Sequence, residues 1–290
     1  MRRDPLVTIT GSTGTIGSEL VRLLSAAGVK TRAVYRKASK TQDLPNVSWV
    51  QADLDDVEAL EAALTGTIRL FLLTGNEPGF GRTQIGVIRA AERLGVEHVV
   101  KLSALGASNH SKSAIAREHW AVEQALLGTP LSWTILRPHA FMQNWLDDVA
   151  ESVRAERVIY APIGDGRVPF IDTRDIAAVA AEVLLHPEAH RGKKYFLTGG
   201  EAVGYADVAA ALSAATGRTI EYRPISMEQQ RSHLEARGVA AAMIDAMLAI
   251  AAYQKAGGPT ATVSPNVERL LGRPPRSIHD FARDHAARFV

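Results

Sequence analysis

No cysteine occurs in the 290 residues. Disulfides and thiolate chemistry are thereby excluded, and a zinc site would have to rely on histidines and carboxylates. No run approaches the roughly 20 apolar residues of a membrane span. The N-terminal MRRDPLVTIT is basic but has no long apolar stretch before a small-residue cleavage site, so the expectation is a cytoplasmic protein. Excess charge is also scarce. The net charge of +2 is too small to demand a nucleic-acid or membrane partner. No repeat and no low-complexity segment is visible. What remains, 46% hydrophobic and 22% charged, is the composition of a soluble globular chain. Its length permits one large α/β domain, or one domain with a smaller lobe.

Short apolar runs alternate with helical patterns. LVTIT, TRAVY, VSWVQAD, RLFLLTG, HVVKLSA and SWTILRP read as strands, with helices near 15–27, 56–64, 82–94, 113–127 and 140–154. Gly28, Gly66, Gly95 and Gly128 stand where helix C-caps are expected. This β-α-β rhythm predicts an α/β fold: a Rossmann-type, doubly wound parallel sheet. After about residue 155 the rhythm loosens. RVIYAP, KKYFLTGG and TIEYRP read as strands, and Thr173 to Pro187 as an amphipathic helix. Further helices are expected near 204–216, 227–237 and 239–254. A Gly/Pro-rich break over 255–266, a linker and a final helix follow. The expected division is a nucleotide-binding domain over 1–155, with 168–187 packing back on it, and a smaller substrate lobe over 156–290.

LVTITGSTGTIGSELVRLL places Gly11, Gly14 and Gly17 between a strand and a helix. That setting is what a dinucleotide site requires, although the spacing is G-x-x-G-x-x-G. Gly11 permits a tight turn, Gly14 lets the backbone approach pyrophosphate, and Gly17 lets helix and strand pack. The first-turn N–H groups then favour an anion. A purely structural turn is the competing reading. Arg36 and Lys37 follow the TRAVY strand, 19 residues beyond Gly17, where an NAD-selective protein would place an acid. Arg22, Lys30, Arg32 and Lys40 lie nearby, with no acid between Leu20 and Gln42. A guanidinium beside the ribose suits a 2′-phosphate, so NADP(H) is expected over NAD(H). A solvated basic loop is the alternative. Asp53, followed by Leu54, ends the third strand and suits either the adenine amino group or a helix N-cap. Asp55 looks more like the cap.

These residues together resemble the atypical short-chain dehydrogenase/reductases of the NmrA-like group. The resemblance runs through TGSTGTIGSEL, VYRK, QADLDD, LLTG, VVKLSALGA, EHWAVEQAL, WTILRPHAFMQNW, VPFIDTRDIAAVA and VERLLGRPPRSIHDFA. The group includes bacterial NADPH-dependent quinone, azo-dye and triphenylmethane reductases, and redox-sensing regulators. The resemblance implies an NADP(H)-binding domain with a small C-terminal substrate lobe. It implies that Thr13, Gly14, Thr15, Ile16 and Gly17 hold pyrophosphate. Thr74, Gly75, Asn76 and Ser103 would line the nicotinamide side, and Pro138 to Phe141 would border the nicotinamide and substrate.

One absence bears on the chemistry. Most short-chain dehydrogenases carry a Tyr and a Lys four residues apart on the helix after the fifth strand; here Ser113 to Leu127 contains neither. His119 and Glu123 occupy that place and share a helix face. In the functional reading Glu123 orients the imidazole, and His119 donates a proton or contacts the ribose. The alternative is a surface or helix–helix pair. Ser103 suits a substrate carbonyl, the carboxamide, or plain turn chemistry. In FMQNWL, Phe141, Met142 and Trp145 suit a substrate wall or core, and Asn144 a polar contact. No metal is expected. The resulting reading is an NADPH-dependent reductase of quinones, azo or imine groups, dyes, or activated carbonyls and alkenes. The alternative class is an NADP(H)-sensing regulator that binds a protein partner. An isomerase or epimerase lacks its Tyr.

Overall fold

The computed structural model describes residues 5–37 and 41–290. Lys40, part of the expected basic cluster, lies outside the described residues. Every expected strand is present. β1 (Val7–Ile9), β2 (Thr31–Tyr35), β3 (Val47–Gln51), β4 (Arg69–Leu72), β5 (His98–Leu102), β6 (Ser132–Pro138) and β8 (Lys193–Leu197) form one sheet in the order β3-β2-β1-β4-β5-β6-β8. The pairings from β3 through to β6 are parallel, with Val7 opposite Thr31 on one side and Arg69 on the other. The order reverses between β1 and β4, which makes the carboxyl ends of these strands the switch-point crevice of a doubly wound sheet.

Helices α1 (Thr15–Ala26), α2 (Val57–Leu64), α3 (Phe80–Arg93) and α4 (Ala114–Leu127) connect the strands. Their apolar faces bury Leu60, Val87, Ile88, Val122 and Leu126 with Leu70 and Val99 of the sheet. β5 is buried along its whole length, as a central parallel strand must be. Gly28, Gly66 and Gly95 adopt the positive φ expected after a helix; Gly128 does not. The cap of α2 is Asp56 rather than Asp55. Its Oδ1 accepts from the Glu58 and Ala59 N–H groups at 2.9 and 3.1 Å. Asp55 instead accepts from the Thr83 hydroxyl at 2.6 Å.

The chain divides into two compact units. One runs up to Ser111 and adds Ile115–Arg137 and Ile176–Phe196; the other takes Lys112–Ala114, Pro138–Asp175 and Leu197–Val290. The change therefore falls at Pro138, not near 155, because the segment after β6 is built into the second core. A 3-10 helix over Met142–Leu146 and α5 (Asp148–Glu156) replace the single helix expected over 140–154. Met142 and Trp145 are buried there with Phe170, Leu212 and Phe281. β7 (Val158–Ala161) and β9 (Glu221–Pro224) pair in parallel as a second small sheet. α6 (Thr173–Leu185), α7 (Tyr205–Thr216), α8 (Met227–Ala236), α9 (Ala241–Ala256), α10 (Asn266–Leu271) and α11 (Ile278–Asp284) complete the chain. The fully buried Asp175 carboxylate accepts from Arg273 Nη2 at 2.7 Å, from the Arg276 N–H at 2.6 Å and from the Arg276 guanidinium. That cluster pins the RPPRS linker to the start of α6. No helix among the described residues is long and apolar enough to cross a membrane.

Candidate cofactor and active site

The glycine turn leaves β1 at the switch point. Gly11 has φ +63°, and an added Cβ would sit 2.8 Å from the Leu73 carbonyl oxygen. At Gly17 a Cβ would drive into the Gly11 carbonyl. Both glycines are therefore required by the turn itself. Gly14 is different. A Cβ there would meet only the Gly11 oxygen, at 3.4 Å, which is ordinary contact. Packing does not require a glycine at 14, whereas a ligand approaching the backbone does. Gly14 is also the N-cap of α1, which has no side-chain cap and no acid in its first turn. The first N–H groups are thus left for an anion. Thr13, Gly14, Thr15 and Ser18 line a groove of about 370 Å³ together with Thr41 and Gln42. Ile16 is buried in the core, so only its backbone faces this role. The Ser12 hydroxyl donates to the Val34 carbonyl at 2.6 Å and ties the turn to β2. These residues fit a dinucleotide pyrophosphate.

Arg36 and Lys37 are exposed just beyond β2. Arg36 Nη2 lies 3.8 Å from Glu77 Oε1, with both side chains 68% exposed. Glu77 is an acid the sequence reading did not place opposite Arg36. Asp53 is exposed and accepts from the Asp55 N–H at 3.1 Å, so it is not the helix cap; Leu54 beside it is half-buried. Thr74 is half-buried, and Gly75 and Asn76 are exposed. The Thr74 hydroxyl accepts from Gln84 Nε2 at 2.7 Å and donates to the Gly75 carbonyl at 3.0 Å.

β5 and α4 bring Ser103, His119 and Glu123 together, but not in the expected pairing. Glu123, fully buried, does not orient His119. Its carboxylate accepts from Ser103 Oγ at 2.6 Å, from Arg137 Nε and Nη2 at 2.8 and 2.6 Å, and from Lys194 Nζ at 3.1 Å. The i,i+4 spacing put Glu123 on the right face; cations from β6 and β8 then claimed it. Burial works to raise its pKa, but the bonds from Arg137 and Ser103 and the Arg137 charge hold it below the ordinary value. Glu118, next to His119 in sequence, turns away and accepts from the Gly79 and Gly81 N–H groups at 3.3 and 2.7 Å at the start of α3.

His119 Nδ1 lies 3.2 Å from Lys101 Nζ, and the Phe80 ring packs on the imidazole at 4.8 Å between centroids. Burial first, then the Lys101 and Arg137 charges, push the His119 pKa well below its ordinary value. The imidazole is therefore neutral at pH 7 and is a poor general acid. Lys101 is fully buried, and burial pushes it down to about 7 against the opposing pull of Glu123. The sequence reading missed Lys101. Its signal was a lysine inside a central strand, HVVKL, that the flanking valines and leucine mark as buried.

The remaining residues belong to the second unit. Pro138 is buried at the end of β6; Phe141 is half-buried and pairs with Ile171; Asn144 is exposed. Trp145 is no substrate wall. It is 2% exposed, with its ring edge-on to Phe170 at 4.9 Å and Phe281 at 5.3 Å.

The model of the NmrA-like family matches residues 3–280. The chain belongs to the NmrA-like family. Within the family it is 38% identical over 287 residues to an NAD(P)H azoreductase of Xenophilus azovorans, covering 98% of this chain and 99% of that one. It is 33% identical to a (4-alkanoyl-5-oxo-2,5-dihydrofuran-3-yl)methyl phosphate reductase of Streptomyces griseus, covering 98% and 99%. Among solved structures it is similar to the NADPH-dependent quinone oxidoreductase QOR2 of Escherichia coli complexed with NADPH. The TM-score is 0.85 at 27% identity, with 96% of this chain and 99% of that chain covered.

Proposed function

We propose that this NmrA-like chain passes hydride from NADPH to a small conjugated acceptor: a quinone, an azo or imine group, a dye, or an activated carbonyl or alkene. The coarser statement, an NAD(P)H-dependent oxidoreductase of the NmrA-like type, rests on the reductase relatives and the NADPH-bound structural neighbour. The observation that carries the reading is Gly14. It is an exposed glycine that packing does not need, at the uncapped start of α1.

In this reading the backbone from Gly11 to Gly17, with Thr13 and Thr15, holds the pyrophosphate. Arg36 and Lys37 take the 2′-phosphate, and Asp53 and Leu54 flank the adenine. Thr74, Gly75, Asn76 and Ser103 serve the nicotinamide side. NADPH, when bound, supplies two electrons as hydride. The acceptor gains one proton besides, and water is its source, because a neutral buried imidazole does not give one up readily. His119 polarises the acceptor with an N–H group, and Glu123 holds Ser103 in place through the 2.6 Å bond. Such acceptors need little acid catalysis, which suits a helix without the Tyr-Lys pair. In the second unit, Phe141 and Asn144 retain exposed surface for a substrate; Pro138, buried, offers only its backbone.

The test is NADPH consumption, followed at the nicotinamide absorbance, against a panel of quinones, azo dyes, imines and enones. Turnover with at least one class is expected. Tight NADPH binding with no turnover across the panel would replace the reductase with a nucleotide sensor.

A further inference from the structure

We propose that Lys101 is a positioning residue that fixes His119 as the neutral tautomer carrying its proton on Nε2. The consequence for the acceptor rests on the reductase reading; the tautomer itself does not.

Lys101 occupies a strand covered on both faces, and its side chain is fully buried. An ammonium there costs several kcal/mol unless directed partners receive it. No carboxylate bonds it. The Glu123 oxygens are taken by Ser103, Arg137 and Lys194, so Glu123 acts on Lys101 only through its charge. The directed partners of Nζ are the Leu102 carbonyl oxygen and His119 Nδ1. An ammonium has three N–H donors and no lone pair. Nδ1 must then be the acceptor, and the one proton of a neutral imidazole must sit on Nε2. A free amine has a lone pair that can accept from an Nδ1–H, so the assignment belongs to Lys101 in its charged form.

The surroundings hold the ring in this state. Lys101 from β5 and Arg137 from β6 oppose an imidazolium. Phe80 of α3 lies against the ring. Glu123, on the same helix, is the one carboxylate of this cluster, and it is already neutralised by Arg137 and Lys194. Nε2 makes no hydrogen bond among the described residues. His119 is thus built as an N–H donor that polarises an acceptor oxygen or nitrogen without switching charge while Lys101 is charged.

The test is ¹⁵N NMR of the full chain labelled at histidine, with the His119 signals assigned by difference against His119→Gln. The expected spectrum, recorded below pH 7 where Lys101 carries its charge, shows an unprotonated Nδ1 and a protonated Nε2, unchanged down to pH 5.5. In Lys101→Met the donor to Nδ1 is gone. His119 should then populate both tautomers. A wild-type His119 protonated at Nδ1, or titrating near its ordinary value, overturns the proposal. So does a folded Lys101→Met whose His119 signals match wild type. The wild-type spectrum decides the matter if that variant does not fold. Failure of every acceptor in the turnover panel would remove the reductase reading and leave the tautomer result standing.

Discussion

Gly14 and Gly17 separate two reasons for a glycine. At 17 the helix crowds the Gly11 carbonyl, so Gly17→Ala distorts the turn and lowers both the melting temperature and NADPH affinity. At 14 the fold has room, so Gly14→Ala should cost under about 1 kcal/mol of stability. Its NADPH Kd should nevertheless rise at least about tenfold, the loss of one charge-assisted bond's worth. Calorimetry and a binding titration on the two variants check the contrast. Unchanged NADPH binding in Gly14→Ala would move the pyrophosphate elsewhere. Arg36→Glu should weaken NADPH far more than NADH; equal losses in the two titrations would contradict a 2′-phosphate at Arg36. The glycine turn and the basic strand end were legible in sequence because each is a local feature of the chain. The partners of Glu123 were not. They come from Arg137 on β6 and Lys194 on β8, and helical spacing reports only which face a residue shares, not what another strand brings to it.

The elements were legible wherever a local pattern decided them. Every strand run expected from apolar stretches bounded by turns is present, and the switch between β1 and β4 follows from β-α alternation. The segment after β6 was harder. FMQNWL carries an apolar face in either reading, and only the second core shows what covers it. Trp145, edge-on to Phe170 and Phe281, fills that core. Trp145→Ala should cost about 3–5 kcal/mol in urea unfolding. A variant with wild-type stability and a raised KM for the acceptor would return Trp145 to the substrate wall. The Asp175 cluster was equally hidden. Its acid was visible in the first turn of α6, but the arginines that close on it lie about a hundred residues later.

For the whole molecule, buried neutral histidines set an acid limit. His98 bonds Ser132 and Thr134 at 2.8 and 3.0 Å, and burial, with Arg191 and Arg69 nearby, pushes it down to about 4. His139 accepts from the Ala140 N–H at 2.7 Å and donates to the Thr260 carbonyl at 2.9 Å. Burial pushes it down to about 4 as well, against the Thr260 bond. Both are neutral in the fold, while in the unfolded chain they protonate near their ordinary value of 6.5. Between these limits the unfolded chain binds more protons. The stability these groups contribute is complete above about pH 6.5 and lost as the pH falls toward 4, by roughly 3 kcal/mol for each histidine. Urea midpoints at pH 7.5, 5.5 and 4.5 should decline in that order; a midpoint independent of pH would contradict the neutral assignment. The same molecule is held to take its electrons from NADPH and to hand them on. The most direct measurement is kcat/KM for NADPH and for NADH with a quinone or azo dye as acceptor. Turnover with both nucleotides is expected, with a clear preference for NADPH that Arg36→Glu abolishes. Bound NADPH that no quinone or dye ever oxidises would contradict it.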